Sequence, residues 1–557
     1  MPSSRASRDT WLFWTLALLV LATGLGLRDP WPADEPRFTL VAKQMVESGE
    51  WLFPHRGAEL YPDKPPLFMW LQAAAYTVLG SWRIAFLLPS LLAALGTLWL
   101  VVDLGKRMWT GRVGLYAGYA LLFALQFTYQ AKKAQIDPLV VFWITLGNYA
   151  LLRFFLAPAD DRARWSFWVL GWFAAGLGTI TKGVGALVLV MLVPGIWASL
   201  RGWQGARAPL LSWKSLLGPT AFLAAVALWL VPMVTAALDH PDPAYRAYLD
   251  NILFKQTAQR YARSWDHPQP PWYHLEVMAT VWLPAMLALP WAIPAWWRRL
   301  RRRDARYLLP IAWWLLVVLF FSIPSGKRDV YILPALPMAC LALVPLLPGI
   351  LRRRGAQRLL LAFTLFVSLL VLAAGASMLL GDPRFEQKLV TDRGIAGPLL
   401  QAGAWMLAGI GCWGLGCALW FGRRRAAAGV VAMLVGLWVA YGLVGYPLLN
   451  DSSSSRGLMR DAGARIGPDA QLGLVAWREQ NLLMADRNAA TFGFSKPPAE
   501  QMRLGIDWQR QAPAQRWLLV QDTAMLPCVD RGLAQPLDSA NRREWWLLPG
   551  GATAGCR

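Results

Sequence analysis

Residues 352–380 read RRRGAQRLLLAFTLFVSLLVLAAGASMLL, four arginines in seven positions followed by 22 residues without a charge. A helix needs about 20 mostly apolar residues to cross a bilayer core, and short arginine-rich segments stay on the cytoplasmic side. One stretch therefore predicts both a membrane span and its direction. Working outward, comparable apolar runs occur at about 11–28, 83–103, 113–131, 138–156, 166–180, 184–200, 215–237, 275–297, 307–323, 330–349, 397–420 and 427–448. With 359–380 they make thirteen expected spans. The first is not a cleaved signal peptide, because Leu25-Gly26-Leu27-Arg28-Asp29 lacks a small-residue cleavage pattern and more spans follow.

Composition agrees. Of 557 residues 56% are hydrophobic and only 16% charged, with 33 Trp, whereas soluble domains carry about 25% charged residues. A single water-soluble globule is excluded, and so is disorder. The net charge of +22 would suit a nucleic-acid binder only if the basic residues covered one folded face. Here they sit in short clusters between apolar runs, so nucleic acid is not an expected partner.

With the N-terminus inside, the internal segments hold Arg5 and Arg8; Lys106, Arg107 and Arg112; Arg153, Arg162 and Arg164; Arg201, Arg207 and Lys214; Arg298 to Arg306; Arg352 to Arg358; and Arg423 to Arg425. Every second loop is basic and the phase never slips. An odd number of spans then puts the C-terminal segment outside, in the periplasm of a Gram-negative inner membrane. Two outer loops, 29–82 and 239–274, are too long for turns. From Asn450 the apolar runs shorten to strand length, as in Leu472 to Trp477, Trp517 to Val520 and Trp545 to Leu548. Ser455 to Ile466 reads as a helix stopped by Gly467. The expected organisation is an all-α polytopic membrane domain over 1–449 and a small outer α/β domain over 450–557, joined at the polar run Asn450 to Ser455. Cys340, Cys412 and Cys417 fall within spans as inert small hydrophobes. Cys528 and Cys556 share the outer domain, where an oxidising compartment permits a disulfide; paired and free forms are both open.

The spans are almost free of charge, whereas ion-coupled transporters keep ionisable groups at membrane depth. Chemistry is therefore expected on the outer face. There lie Asp34-Glu35-Pro36-Arg37, Asp63-Lys64-Pro65-Pro66, Lys132 to Pro138, Thr181-Lys182-Gly183, Arg260 to His274, Gly326 to Tyr331 and all four histidines. Helix capping before Pro36 explains one carboxylate, Glu35 being the better placed. It does not explain Asp34 and Arg37 as well. The helix that follows, with Phe38, Val41, Ala42 and Met45 at helical spacing, is expected to lie in the membrane interface. Asp137-Pro138 repeats the cap-and-proline form. Two prolines stiffen the chain behind Lys64, which suits a fixed ammonium meeting a phosphate. Lys327 and Arg328 stand on the face that the orientation rule keeps poor in cations. Cations hold a phosphate and stabilise it as a leaving group, and a carboxylate orients or deprotonates an acceptor. The set suits chemistry on a lipid-linked phosphate.

In this order the motifs, with Gln259-Arg260-Tyr261, Pro271-Trp272-Tyr273 and Gly326 to Pro334, resemble the membrane glycosyltransferases of the GT-C class over residues 10–350. The resemblance is to the aminoarabinose transferases that modify lipid A (ArnT-type) and, more distantly, to protein O-mannosyltransferases. It implies a polyprenyl (undecaprenyl) phosphate sugar as donor, lipid A or another envelope glycoconjugate as acceptor, inversion at the anomeric carbon and a monomeric enzyme. It also implies that Asp34 and Asp137 are catalytic, that Arg37, Lys64, Lys182 and Tyr331 hold the donor phosphate, and that Asp63 and His267 stand where relatives bind a divalent metal. Asp replaces Glu at 63, which leaves Zn²⁺ or no metal as the alternatives. An O-mannosyltransferase-like or core-oligosaccharide enzyme would share Asp34 and Lys64 but use a hydroxyl acceptor. A lipid-linked sugar transporter would need polar residues and broken helices at the bilayer midplane, which the spans lack. An inactive scaffold would not need Asp34.

Overall fold

The computed structural model describes residues 4–158, 163–209, 212–253, 267–381, 397–541 and 543–556. Arg162, the Gln259-Arg260-Tyr261 motif and residues 254–266 of the 239–274 loop lie outside them. Among the described residues eight helices are long and apolar enough to cross a membrane, and a ninth is counted if Tyr273–Thr280 and Ala285–Arg301, bent by 94°, are one span. The segments expected as spans are helical over most of their length, but several do not meet that standard alone. Ser4–Ala22 (α1) opens with a charged turn, and 113–131 breaks into Gly111–Leu122 and Leu125–Ala131. Gly185–Leu200 is an apolar helix shorter than a full span. Helices surrounded by other helices need neither the length nor the all-round apolarity of a lipid-facing one. Thus the window of Asp329–Ile350 is 78% buried within the protein and that of Arg354–Leu379 only 17%.

The helix predicted for the membrane interface is Glu35–Ser48 (α2), and it lies against protein instead. Phe38, Val41, Ala42 and Met45 are at most 5% exposed and belong to the main core of the bundle; Phe38 meets Phe68 edge to face. Its neighbour Leu40 points the other way, into the core of the C-terminal domain. Apolar side chains on both sides of α2 clamp it between the two halves of the molecule. Leu67–Leu79 (α3) packs beside it.

The helix after Arg425 runs on through the expected linker as far as Ser454, and the break falls at Ser455, whose φ is 62°. Beyond it, five strands make a mixed sheet: β3 (Gln471–Val475), β4 (Ala489–Thr491), β5 (Arg516–Gln521), β6 (Gln535–Ala540) and β7 (Arg543–Leu548), in the order β4-β3-β5-β7-β6. A two-stranded hairpin, β1 (His55–Arg56) with β2 (Glu59–Leu60), lies in the first long loop. Strand β3 is parallel to β4 and β5, and β7 runs antiparallel to β5 and β6. Side chains alternate between faces. Leu472, Leu474, Leu519 and Leu547 pack on Leu458, Met459 and Ala462 of the helix Arg456–Ile466. Val475, Leu518, Val520 and Leu548 pack on Met502 and Ile506 of Pro498–Arg510. Cys528 and Cys556 are disulfide-bonded, which closes the alternative left open above.

Candidate active site

The site begins where α1 ends. Helix C-termini leave carbonyls unsatisfied and carry partial negative charge, and here the Lys132 ammonium donates to the carbonyls of Val20 at 2.9 Å and Thr23 at 2.6 Å. Burial, with the Arg28 guanidinium second, pulls the Lys132 amine down to about 7. Arg28 is 1% exposed and forms a two-pronged ion pair with Glu35, itself 3% exposed. Glu35 also accepts from the backbone N–H of Trp31 at 2.8 Å and of Ala134 at 2.9 Å. Asp29, also buried, is held by Arg83, Arg456 and Asn450. Glu35 therefore ties the first loop to the Lys132–Ala134 corner and caps nothing. Asp34 occupies the N-cap position of α2, but its side chain makes no capping bond either. The cap reading fails because the Glu35 carboxylate is turned to the buried Arg28 guanidinium and to the N–H groups of Trp31 and Ala134, none of them in the first turn of α2.

Asp34 is partly exposed, its side chain at 22% of full accessibility. Its carboxylate accepts from the Gln135 side-chain amide at 3.2 Å and stands 3.6 Å from the Arg37 guanidinium and 3.9 Å from that of Arg328. From this hub three arms extend. Gln135 leads to the first turn of Ile136–Leu156, where Asp137 is ion-paired with Lys182. Arg328 leads into the turn Asp329–Ala335, which carries Tyr331 beside Phe321. Arg37 leads to the third arm: its Nε donates to Glu479 at 2.9 Å, and Glu479 is 3.6 Å from Arg56, which is 4.0 Å from Asp63. The Tyr61 ring lies under Arg56; burial, then the Asp63 charge, push its phenol well above the ordinary range. Lys64 follows Asp63 directly, and Pro66 forms the N-cap of α3. The chain of contacts thus runs continuously from Asp34 to the segment bearing Lys64.

These contacts outline a candidate cleft: Arg37 and Arg328 approach Asp34 directly, Gln135 leads to the Asp137–Lys182 pair, and Glu479 and Arg56 lead to Asp63 and the Lys64 segment. His267 is exposed, in the left-handed backbone region at φ 57°, and its carbonyl accepts from the backbone N–H of Lys327 at 3.0 Å, one residue from Arg328. Among the described residues no three His, Cys, Asp or Glu side chains are grouped to hold a metal. Asp63 faces a guanidinium, and that donor set does not fit a divalent ion. Two members went unread in the sequence. Glu479 comes from the C-terminal domain, more than 400 residues from Arg37, and nothing in the isolated run Arg478-Glu479-Gln480 marks it. Arg56 carries no motif, although an arginine in an outer loop breaks the charge pattern and was a usable signal.

Comparisons with known proteins accord with this geometry. Residues 63–231 match the family model described as dolichyl-phosphate-mannose-protein mannosyltransferase. The undecaprenyl phosphate-alpha-4-amino-4-deoxy-L-arabinose arabinosyl transferase of Pseudomonas paraeruginosa is 30% identical over 77% of this chain and 75% of its own. That of Pseudomonas aeruginosa strain UCBPP-PA14 is 31% identical over the same shares. The crystal structure of ArnT from Cupriavidus metallidurans bound to undecaprenyl phosphate superposes with a TM-score of 0.72 at 20% identity, covering 97% of both chains. At that identity the superposition establishes the fold. Sequence similarity over three quarters of the chain settles the rest: this protein belongs to the ArnT-type family of undecaprenyl phosphate-aminoarabinose arabinosyl transferases, membrane glycosyltransferases of the GT-C class.

Proposed function

We propose that the protein moves 4-amino-4-deoxy-L-arabinose from undecaprenyl phosphate to a phosphate of lipid A, at the periplasmic face of the inner membrane and as a single chain. The observation that carries this reading is Asp34, a partly exposed carboxylate with no capping duty, flanked by two guanidiniums and joined by contacts to Lys182 and the Lys64 segment. In the transfer, the bond between the anomeric carbon and the donor phosphate oxygen breaks, and undecaprenyl phosphate leaves with the electron pair. Arg37, Lys64 and Lys182 offset the growing negative charge on that leaving group, and the Tyr331 hydroxyl donates to it. An acceptor phosphate oxygen forms the new bond from the opposite side, with inversion. Such an oxygen is already anionic, so Asp34 orients the acceptor and Asp137 fixes the Lys182 ammonium; no proton need be removed by a strong base.

Mass spectrometry of lipid A from cells with and without the protein tests the proposal. A pentosamine on lipid A phosphate that vanishes with the gene is the expected result. Loss of a neutral sugar from another glycoconjugate would overturn the acceptor assignment and favour a hydroxyl acceptor, as in the mannosyltransferase family that residues 63–231 match.

A further inference from the structure

The end of the bundle opposite the cleft holds a second feature. A cavity of about 590 Å³ opens between α1 and the helices Gly111–Leu122, Leu289–Arg301, Arg354–Leu379, Pro398–Phe421 and Ala426–Ala440. Apolar side chains line it, Leu12, Tyr116, Trp291, Leu360, Phe421 and Val431 among them. Specific small-molecule pockets span about 300–1,000 Å³ and carry a few placed polar groups; this one has the size, with an almost wholly apolar lining whose only polar atoms belong to Tyr and Trp side chains or to the backbone. The charge is at its rim. Leu351 and Ala356 line the cavity, and the turn between them bears Arg352, Arg353 and Arg354. Phe421 and Ala427 line it, and the turn between them bears Arg423, Arg424 and Arg425. Leu12 and Tyr116 each lie one helical turn past an exposed arginine, Arg8 and Arg112. All eight are exposed, and none is in an ion pair among the described residues.

Membrane orientation accounts for arginines at this end. It does not account for an apolar-lined cavity opening beside them, at a rim where eight arginines outnumber Asp9, the carboxylate near Tyr119. The geometry points to a binding site for a diacyl phospholipid with an anionic headgroup, its chains in the cavity and its phosphate among the arginines of the two turns. Basic pockets between transmembrane helices on the cytoplasmic side recognise such headgroups. The lining of the cavity shares no residue with the candidate site: on α1 it reaches Leu16, about 6 Å at helical rise from Val20, whose carbonyl takes the Lys132 ammonium. The lipid site rests on charge and shape at this end and does not depend on the proposed sugar transfer.

Native mass spectrometry of the purified full-length protein, mixed with phosphatidylglycerol or phosphatidylcholine in detergent, tests the assignment. The wild type is expected to retain phosphatidylglycerol at least fivefold better, about the effect of one surface arginine. The triple variant R423Q/R424Q/R425Q should lose that preference. Ala428→Trp fills the cavity without touching the charges and should lower retention of both lipids, with Ala432→Trp as a second filler should the first unfold. Each variant is accepted only if its thermal unfolding in detergent matches the wild type. Equal retention of the two lipids by the wild type, or a preference that survives both kinds of variant, would overturn the site. Displacement of bound phosphatidylglycerol by stoichiometric undecaprenyl phosphate would also overturn it, by making the cavity part of the donor path.

Discussion

Glu35 and Asp34 are neighbours in the chain and belong to two different regions. Around Glu35 lies a pin at the end of α1, where both carboxylate oxygens are saturated by Arg28 and two backbone N–H groups and are shut away from solvent. Around Asp34 lies the cleft, where one amide donates to the carboxylate and two guanidiniums hover beyond hydrogen-bond range at 3.6 and 3.9 Å. The same side-chain chemistry, one methylene apart, serves opposite ends. Saturated polar groups fix the fold and have nothing left to offer a ligand. Unsaturated ones, held close to opposite charge by a rigid frame, are available to a phosphate or a sugar.

That contrast is breakable. Glu35→Gln leaves the buried Arg28 charge uncompensated, which costs about 3–5 kcal/mol. The expected result is a marked drop in folded protein and melting temperature, with near-normal transfer per folded molecule. Asp34→Asn is expected to do the reverse. Transfer from undecaprenyl phosphate sugar in isolated membranes should fall about 10²-fold, the cost of a misplaced acceptor, while the melting temperature stays at the wild-type value. If the two phenotypes exchange, the pin and the cleft have been assigned to the wrong carboxylates. Lys64→Ala comes next. Losing one charge-assisted phosphate contact should weaken donor use by about 1.5–3 kcal/mol, read as a higher KM for the donor. An unchanged KM would move the phosphate cradle away from the proline pair.

Hydropathy and arginine placement made the bundle legible, because lipid demands long apolar runs and the charge rule phases them. The number of spans meeting a strict length test was less legible. Leu125–Ala131 is largely sheltered by neighbours, and a sheltered helix is free to be short, whereas Gly185–Leu200 is short although Val193, Trp197 and Leu200 are exposed. The cleft was legible where two unlike charges stand beside a proline, as at Asp34-Glu35-Pro36-Arg37 and Asp63-Lys64-Pro65. What could not be read was the division of labour within each pair. Capping preference favoured Glu35 for the cap, whereas a guanidinium seven residues upstream decided its role. The amphipathic face of α2 was read correctly as a face and wrongly as a lipid contact, because Leu40 on the opposite side has meaning only once the C-terminal domain is in place.

Glu479 is the residue that sharpens the comparison most, since it shares features of both regions. At 4% exposure it is as buried as the pin, yet its partners Arg37 and Arg56 belong to the cleft. A carboxylate that occupies the Arg37 Nε leaves the rest of that guanidinium facing Asp34, the direction from which a donor phosphate would be met. Glu479→Gln keeps an oxygen able to accept from Nε but removes the charge that balances two arginines. The expected effect is the smallest of the series, about a tenfold rise in the donor KM, equivalent to ~1.4 kcal/mol, with kcat within about twofold. The melting temperature distinguishes the two regions. If it falls as far as in Glu35→Gln, Glu479 belongs to the pin and the C-terminal domain is held on by it. If it holds while KM rises, a residue of the C-terminal domain sets the geometry of the proposed phosphate site, and the two halves of the chain form one catalytic unit.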